Sequence, residues 1–329
     1  MPTERPFSPT LWEQTPAAVQ DYIRALEARV LPDVCPSSLP FRGDLEARRQ
    51  LYAEELRAVA NIRSAALVQA FATVPREQFL GPGPWQIAAP APPGAYRTSE
   101  DADPRHLYHN VLVAVDATRR LNNGQPSFLA LLIEALELQR GDRVVHIGCG
   151  LGYYTAILAE LVTPAGSVTA IELDPALAAQ ASKNLNYLTQ VNVVTGDGSA
   201  HHPGPSDAIF VNAGATHPRP VWLDALRPGG RLLVPLTVAS DTSGHGRGGV
   251  LKITRQPNGL TARFIAEVGI FPCIGARDPE VNDQLREAFR RGTWAAVQSL
   301  RRDPHEPTET CWLHGGDFCL STSAVPPEG

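Results

Sequence analysis

Gly148, Gly150 and Gly152 stand two residues apart in HIGCGLGYYTA, His146 to Ala156. Five apolar-leaning residues, Arg143 to Ile147, precede them and read as a buried strand; a helix-like segment follows to about Val162. A strand, a glycine-rich turn and a helix suit a nucleotide-like ligand. Glycine lets backbone N–H groups approach with no Cβ in the way, and it permits positive φ in the turn. The spacing narrows the ligand. A dinucleotide fingerprint needs G-x-G-x-x-G, whereas the third glycine is replaced by Tyr153, counting from Gly148, or Thr155, counting from Gly150. The Lys-Ser/Thr of a phosphate-binding P-loop is also missing.

The following segments must position the other half of such a ligand. Ser167 to Leu173 (SVTAIEL) is a β-branched run ending in Glu172 and Asp174. An acidic side chain at the end of a second strand, roughly 20 residues past the glycines, suits a bidentate grip on ribose hydroxyls. A third run, Val191 to Thr195, leads into Gly196-Asp197-Gly198, where Asp197 is placed to accept from an exocyclic adenine amine. Asp207 to Asn212 (DAIFVN) is a fourth strand. Leu226 to Leu236 (LRPGGRLLVPL) puts a Pro-Gly-Gly turn before a fifth. Val250–Arg255 and Ala262–Ile270 flank Pro257-Asn258-Gly259, and Asn-Gly is a hairpin signal.

This ordered set resembles the class I S-adenosyl-L-methionine-dependent methyltransferases. More narrowly it is similar to the protein-L-isoaspartate O-methyltransferase family. AFATVPREQFL (Ala70 to Leu80), GQPSFLALLIEALEL (Gly124 to Leu138) and FIAEVGIFPCIG (Phe264 to Gly275) also carry that likeness, which spans roughly residues 65 to 275. The resemblance implies an α/β fold: a doubly wound, Rossmann-like, mostly parallel sheet of about seven strands. An antiparallel edge hairpin and helical N-terminal and short C-terminal extensions complete it. It implies S-adenosyl-L-methionine as cofactor, held by Gly148, Gly150, Gly152, Glu172, Asp197 and Gly198, with Asn123 and Gln125 beside them. It implies a carboxylate acceptor in a peptide or protein, or in a small acid.

The acceptor side departs from the family pattern. The family carries Thr-Ile-Ser before a Gln- or Ala-Pro pair, its serine being thought to position the substrate carboxylate. Here Asn122-Asn123-Gly124 precedes Gln125-Pro126, so that hydroxyl is absent, and Ser127 lies three residues on. Asn122 and Asn123 can donate amide hydrogen bonds to a carboxylate or carbonyl instead, or simply form a turn. Asn212 and His217 (VNAGATH) follow the fourth strand, where methyltransferases place acceptor-facing groups. His106, Tyr108 and His109 are further sources of a base, with surface or packing roles as the alternative. The family's first-strand acidic residue is replaced by His146, read as a core histidine or a pocket wall. Tyr153 and Tyr154 open the helix after the glycines, either against the ligand or in the core. The rival readings are a protein that binds the cofactor without catalysis and, more distantly, a dinucleotide dehydrogenase.

Carboxylate methylation fits the absence of a catalytic triad. A carboxylate with a pKa of about 4 is already ionised at neutral pH and needs no general base, and proximity alone supplies roughly 7–11 kcal/mol. An alcohol or phenol acceptor would need a base or metal.

The chain has 329 residues and a net charge of −5 with scattered basic residues, which argues against a nucleic-acid partner. No run of about 18 apolar residues suggests a membrane span, and the N-terminus lacks the apolar stretch of a signal peptide. Five irregularly spaced cysteines suggest a reduced, cytoplasmic setting. His305, Cys311, His314 and Cys319 have ligand-like residue types, but H-x5-C-x2-H-x4-C matches no familiar zinc finger, so the expectation is a packed C-terminal cap with no metal. Helices are expected over Ala17–Val30, over Asp44–Val74 with a break near Asn61, over Pro126–Glu137 and over Asn282–Arg302. Residues 81–105 read as a long loop or lid, Tyr108–Asp116 as a strand or hairpin arm, and Ser240–Gly249 as a flexible insert. The organisation expected is a helical extension (1–80), a lid and acceptor segment (81–125), the cofactor-binding core (126–275) and a C-terminal helix and cap (276–329).

Overall fold

The computed structural model describes residues 45–89, 91, 94–239 and 244–326. The expected helix over 17–30 and Asp44, the first residue of the next expected helix, lie outside them. Helices α1 (Leu45–Ala60) and α2 (Ala65–Thr73) are separated at Asn61, which turns the chain with a φ of 52°. Ser64 caps α2 by accepting from Leu67 N. The 81–125 segment contains more structure than a loop. Strands β1 (Gln86–Ala88) and β2 (Tyr96–Thr98) pair antiparallel, as do β3 (Ala114–Asp116) and β4 (Leu121–Asn122). The strand expected over 108–116 is thus confined to its last three residues. Helix α3 (Pro126–Ala135) then leads into the main sheet.

That sheet alternates with helices: β5 (Arg143–Ile147), α4 (Tyr153–Val162), β6 (Ser167–Glu172), α5 (Pro175–Asn184), β7 (Val191–Thr195), β8 (Ser206–Val211), α6 (Pro220–Ala225), β9 (Leu226–Val238). β10 (Gly246–Gln256) and β11 (Gly259–Ile270) follow as an antiparallel pair joined at Asn258. Strands β7, β6, β5, β8 and β9 run parallel in that order, and β10 and β11 extend the β9 edge antiparallel. This is the expected seven-stranded class I core. Pro228, Gly229 and Gly230 bulge out at the start of β9, where pairing jumps from Ser206–Leu226 to Ala208–Arg231, so the Pro-Gly-Gly segment lies inside the strand.

Successive residues of each strand enter opposite cores, as the period of two requires. Val144, Ala208, Phe210 and Leu233 pack with α1 to α4 on one face. Val145, Ile209, Val211, Leu232 and Val234 pack with α6 and α7 (Pro279–Arg291) on the other.

The C-terminal region corrects one expectation. A single helix over 282–302 does not form. Asp278 caps α7 by accepting from Glu280 N and Val281 N, and Gly292, with φ 76°, ends it. Val297 and Leu300, which fit a helical stripe in the sequence, are buried in extended chain instead. β12 (Ser299–Arg301), β14 (Cys319–Ser321) and β13 (Cys311–His314) add three antiparallel strands beyond β11, making ten in the sheet. No helix among the described residues is long and apolar enough to cross a membrane.

Candidate active site

The glycine loop leaves the C-terminal end of β5 and is tied down at once. Gly148 N donates to Ile171 O at 2.8 Å, and Gly152 N to Cys149 O at 3.0 Å. Gly148, Gly150 and Gly152 have φ of 75°, 56° and 93°, in the region L side chains avoid. A Cβ on Gly152 would stand 2.7 Å from Leu185 Cδ1, whereas one on Gly150 would meet nothing within 4 Å. The first glycine of that pair permits close packing; the other leaves ligand space beside an exposed backbone.

Glu172, at the end of β6, faces the loop. Its Oε2 accepts from Gly150 N at 2.8 Å and its Oε1 from Asp174 N at 3.1 Å. A carboxylate has about four acceptor sites, so these two bonds leave capacity for two hydroxyls. Asp197 follows β7. Its Oδ1 accepts from Ser199 N at 2.8 Å, and its Oδ2 occupies the space a Cβ on Gly275 would need.

These strand ends border a cavity of about 680 Å³, a volume suited to a nucleoside-sized ligand and an acceptor group. It lies where β5 is flanked by β6 on one side and β8 on the other, the switch point at which open α/β sheets bind ligands. Gly148, Gly150, Gly152, Glu172, Asp197, Gly198, Asn122, Asn123, Gln125 and Asn212 all line it.

The wall that carries Asn122, Asn123 and Gln125 is hung on a buried cation. Arg76, fully buried, donates through Nη1 to Leu107 O (2.6 Å) and His109 O (3.1 Å). Through Nη2 it donates to Val111 O (2.8 Å) and Asn123 Oδ1 (3.3 Å). The Tyr52 and Tyr153 rings lie 5.8 and 5.9 Å from its guanidinium carbon. Val113 N also donates to Asn123 Oδ1, at 3.3 Å. Two donors on one oxygen settle which way this amide points. Asn123 Nδ2 is consequently buried with no hydrogen-bond partner. Asn122 differs: its Oδ1 accepts from Tyr96 OH (2.8 Å) and its Nδ2 donates to Arg120 O (3.0 Å), so its amide braces the 81–125 segment. Gln125 Nε2 donates to Asn110 O and Oδ1, both at 2.8 Å, and Asn110 Oδ1 also takes Ser127 N, holding the start of α3.

Several expected positions move. His217 is not in the cavity. It is buried, stacks on Phe318 at 5.2 Å, and pairs with Thr216 Oγ1 and Arg219 Nη1. The residues after Asn212 turn back into the sheet, with Ala215 N donating to Pro235 O, and carry His217 away. His106 binds Asp101 at the surface, Tyr108 pairs with Glu77, and His109 offers only its backbone carbonyl. His146 is a core histidine, stacked on Phe210 with Nδ1 2.9 Å from Thr155 Oγ1; burial pushes its pKa down to about 3. Ser127 does not line the cavity. Gly124, with φ 87°, has Leu129 Cδ2 2.9 Å and Tyr154 Cε2 3.3 Å from where a Cβ would be. The missing serine is therefore a backbone requirement of this loop. Both tyrosines after the glycine loop line the cavity while buried among neighbours, Tyr154 OH donating to Gly124 O.

Arg76, Arg119 and His245 were not singled out in the sequence. Arg119 lines the cavity and pairs with Asp174 at 2.8 Å, closing the 81–125 segment onto the α5 cap. His245 lines it from the glycine-rich insert beside Phe271. Only Arg76 had a sequence signal, its place in the VPRE segment that carries the family likeness. The two thiols in the wall stay protonated. Burial and then the Glu172 carboxylate push Cys149 up; burial and then Asp197 push Cys273 up to about 11.

The family model for protein-L-isoaspartate(D-aspartate) O-methyltransferase matches residues 100–246. Protein-L-isoaspartate O-methyltransferases of Ignicoccus hospitalis and Aeropyrum pernix are 30% and 33% identical to this chain. They cover 70% and 78% of it, and 99% and 86% of their own lengths. Protein-L-isoaspartate O-methyltransferase 2 of Pelobacter propionicus is 34% identical over 74% of this chain and 97% of its own. A solved protein-L-isoaspartate O-methyltransferase superposes with a TM-score of 0.55 at 23% identity, over 74% of this chain and 69% of its own. One from Plasmodium falciparum, in complex with S-adenosyl-L-homocysteine, gives 0.52 at 17% identity, over 68% and 97%. Glycine loop, strand-end carboxylate and open cavity fit S-adenosyl-L-methionine. The chain belongs to the protein-L-isoaspartate O-methyltransferase family and is an S-adenosyl-L-methionine-dependent O-methyltransferase.

Proposed function

We propose that this chain methylates a carboxylate of a peptide or protein, with the free α-carboxylate of an isoaspartyl residue as its acceptor. The observation that carries this reading is Asn123, a residue of the cavity wall: its Oδ1 is committed to Arg76 and Val113, and its Nδ2 is buried and unpaired. An unpaired buried donor costs about 1–3 kcal/mol, and an anionic acceptor recovers it.

S-adenosyl-L-methionine, when bound, supplies a methyl group on a positively charged sulfur. The chain's own residues do the rest. The glycine loop exposes its backbone to the cofactor. Glu172 accepts from the ribose hydroxyls, and Asp197 with Gly198 holds the adenine edge. Asn123 Nδ2 donates to one acceptor oxygen and leaves the other to attack. Phe128, Leu129, Phe271 and Ile274 supply apolar wall that keeps water from the nucleophile. No proton has to move, because the acceptor arrives ionised. Asn212 lies along the same cavity and is a second donor on the acceptor side.

A second reading has its own observation. Gly124 stands where the family carries serine, which points to an altered acid as acceptor: a peptide aspartyl side chain or a small natural-product acid.

The test is S-adenosylhomocysteine release with an isoaspartyl peptide and its aspartyl twin, beside a calorimetric titration of S-adenosyl-L-methionine. Release with the isoaspartyl peptide alone supports the first reading. Release with the twin, or only with small acids, supports the second. Cofactor binding without release from any acid leaves a binding protein and overturns both. Asn123→Ala is expected to lower kcat/KM about tenfold or more, the equivalent of about 1.4 kcal/mol, with cofactor affinity kept. Unchanged turnover would remove Asn123 from the mechanism.

A further inference from the structure

We propose that His305, Cys311, His314 and Cys319 form a tetrahedral zinc site that clamps the C-terminal strands. One ligand atom from each of the four lies within 4.8 Å of the others. The sequence spacing fits no familiar finger, because the fold supplies the convergence. His314 and Cys319 are direct cross-strand partners on β13 and β14. Cys311 begins β13, and His305 reaches in from the irregular stretch after β12.

The internal geometry suits a metal of zinc's size. Metal–sulfur bonds of about 2.3 Å and metal–nitrogen bonds of about 2.0–2.1 Å give a tetrahedron whose sulfur–nitrogen edge is about 3.6 Å. Cys311 Sγ lies 3.6 Å from His305 Nε2.

Three further observations have the character of metal-ligand support. His305 Nδ1 lies 2.7 Å from Asp303 O, so Nδ1 carries the proton and Nε2 presents its lone pair toward Cys311. Metal-binding histidines are held by such a bond on their other nitrogen. His314 Nδ1 is buried with no hydrogen-bond partner, a cost the fold keeps without return unless that nitrogen has a ligand. Thr308 N and Oγ1 approach Cys311 Sγ at 3.3 and 3.4 Å, donors suited to a thiolate. Two thiolates and two imidazoles in a tetrahedron select zinc over the harder cations, and a full set of four protein ligands marks a structural site.

The position gives the site a task. Phe318 sits between His314 and Cys319 in the turn and stacks on His217. Thr216 Oγ1, next to His217, accepts from Asp278 N at the start of α7. The clamp therefore fixes the turn that packs the end of the chain against the sheet. None of the four ligands lines the methyl-transfer cavity.

Protein from zinc-supplemented medium, purified without chelator, is assayed for metal by mass spectrometry. One zinc per chain is expected, and His305→Ala and Cys319→Ser should each lose it. Exchange with cobalt should give the visible bands of a tetrahedral site and thiolate charge transfer in the near ultraviolet. Chelating the folded wild type should lower its Tm, and zinc should restore it, a readout that survives if a variant fails to fold. Cofactor affinity serves as the check on the fold of each variant. The proposal is overturned by protein that carries no zinc and takes up none, by a Cys311–Cys319 disulfide in its place, or by full zinc retention in the His305→Ala/Cys319→Ser double variant.

Discussion

Two walls of one cavity, one proposed for the cofactor and one for the acceptor, are built in opposite ways. The cofactor wall consists of strand ends, in which Gly148 leaves β5, Glu172 ends β6 and Asp197 follows β7. Its geometry comes from the parallel ladder beneath it. The acceptor wall is a run of short strands and turns with little ladder of its own. It is gathered by Arg76, which reaches from the segment after α2 to three loop carbonyls and Asn123. The first wall is positioned by secondary structure. The second is positioned by side chains, Arg76 above all with Asn122, Gln125 and Arg119 beside it, so a substitution at Arg76 should separate the two functions.

Arg76→Met is the largest expected effect. Methionine keeps much of the apolar bulk but removes all the donors. The Leu107, His109 and Val111 carbonyls lose a charged partner, and Asn123 loses one of two bonds holding its amide. A destabilisation of about 3 kcal/mol or more is expected in urea unfolding, from about 1–3 kcal/mol per buried group left unpaired. At temperatures where the variant stays folded, acceptor turnover should be lost while calorimetric affinity for the cofactor is kept. Arg76→Lys, which keeps the charge without the planar fork, should fall between. Equal loss of cofactor affinity would break the comparison, because the walls would then not be independent.

Glu172→Ala attacks the other wall. Loss of a charged acceptor should weaken cofactor binding by about 1–3 kcal/mol, read by calorimetry, with a smaller change in unfolding than Arg76→Met, because the Gly150 and Asp174 N–H groups it leaves are only part-buried. Unchanged affinity would remove Glu172 from the ribose contact.

The same contrast explains what could be read in the sequence. β5, β6 and β7 are short β-branched or apolar runs that end at glycine or acidic residues, β8 is one that ends just before Asn212, and their bounds came out nearly to the residue. The Asn-Gly hairpin and the break at Asn61 were visible in the same way, from local pattern. The acceptor wall was visible only as residue types. Nothing in Asn122-Asn123 says that one amide is spent on Tyr96 and the other left with a free donor, because Tyr96 and Arg76 are remote in sequence. His217 misled for the mirror reason: it follows a strand end, yet the backbone turns back into the sheet. In the C-terminal region Val297 and Leu300 fit a helical stripe, but Gly292 ends the helix and both are buried in extended chain. Apolar spacing alone does not distinguish those outcomes.

Gly124→Ser sharpens the comparison at lower cost. A serine there must adopt φ near 87° and place its Cβ against Leu129. Left-handed backbone costs a non-glycine residue about 1–2 kcal/mol, which urea unfolding should show. Restoring the family's hydroxyl in this way should lower turnover, since the backbone that presents Asn123 shifts with it. A gain of isoaspartyl turnover would mean that the loop tolerates serine and that the hydroxyl outweighs the strain.

The smallest effect lies beneath the cofactor wall, and it depends on pH. His146 is buried in β5 with its pKa held near 3, below the ordinary 6.5, because burial disfavours the charged ring. Above pH 6.5 neither the folded nor the unfolded chain protonates it, and it contributes nothing to the slope. As pH falls through 6.5 the unfolded chain takes up a proton that the folded chain refuses. Stability is then lost at up to about 1.4 kcal/mol per pH unit, down to about pH 3. Burial also lowers the pKa of His217, but that term is common to wild type and variant and cancels. Between pH 7.5 and 5.5 the wild type should therefore lose about 1.4 kcal/mol more than His146→Leu in urea unfolding. The difference in slope is the test, because the variant also leaves Thr155 without its partner and so changes stability at every pH. Equal slopes would mean that β5 opens to water in mild acid, and that the ladder under the glycine loop is the looser of the two supports.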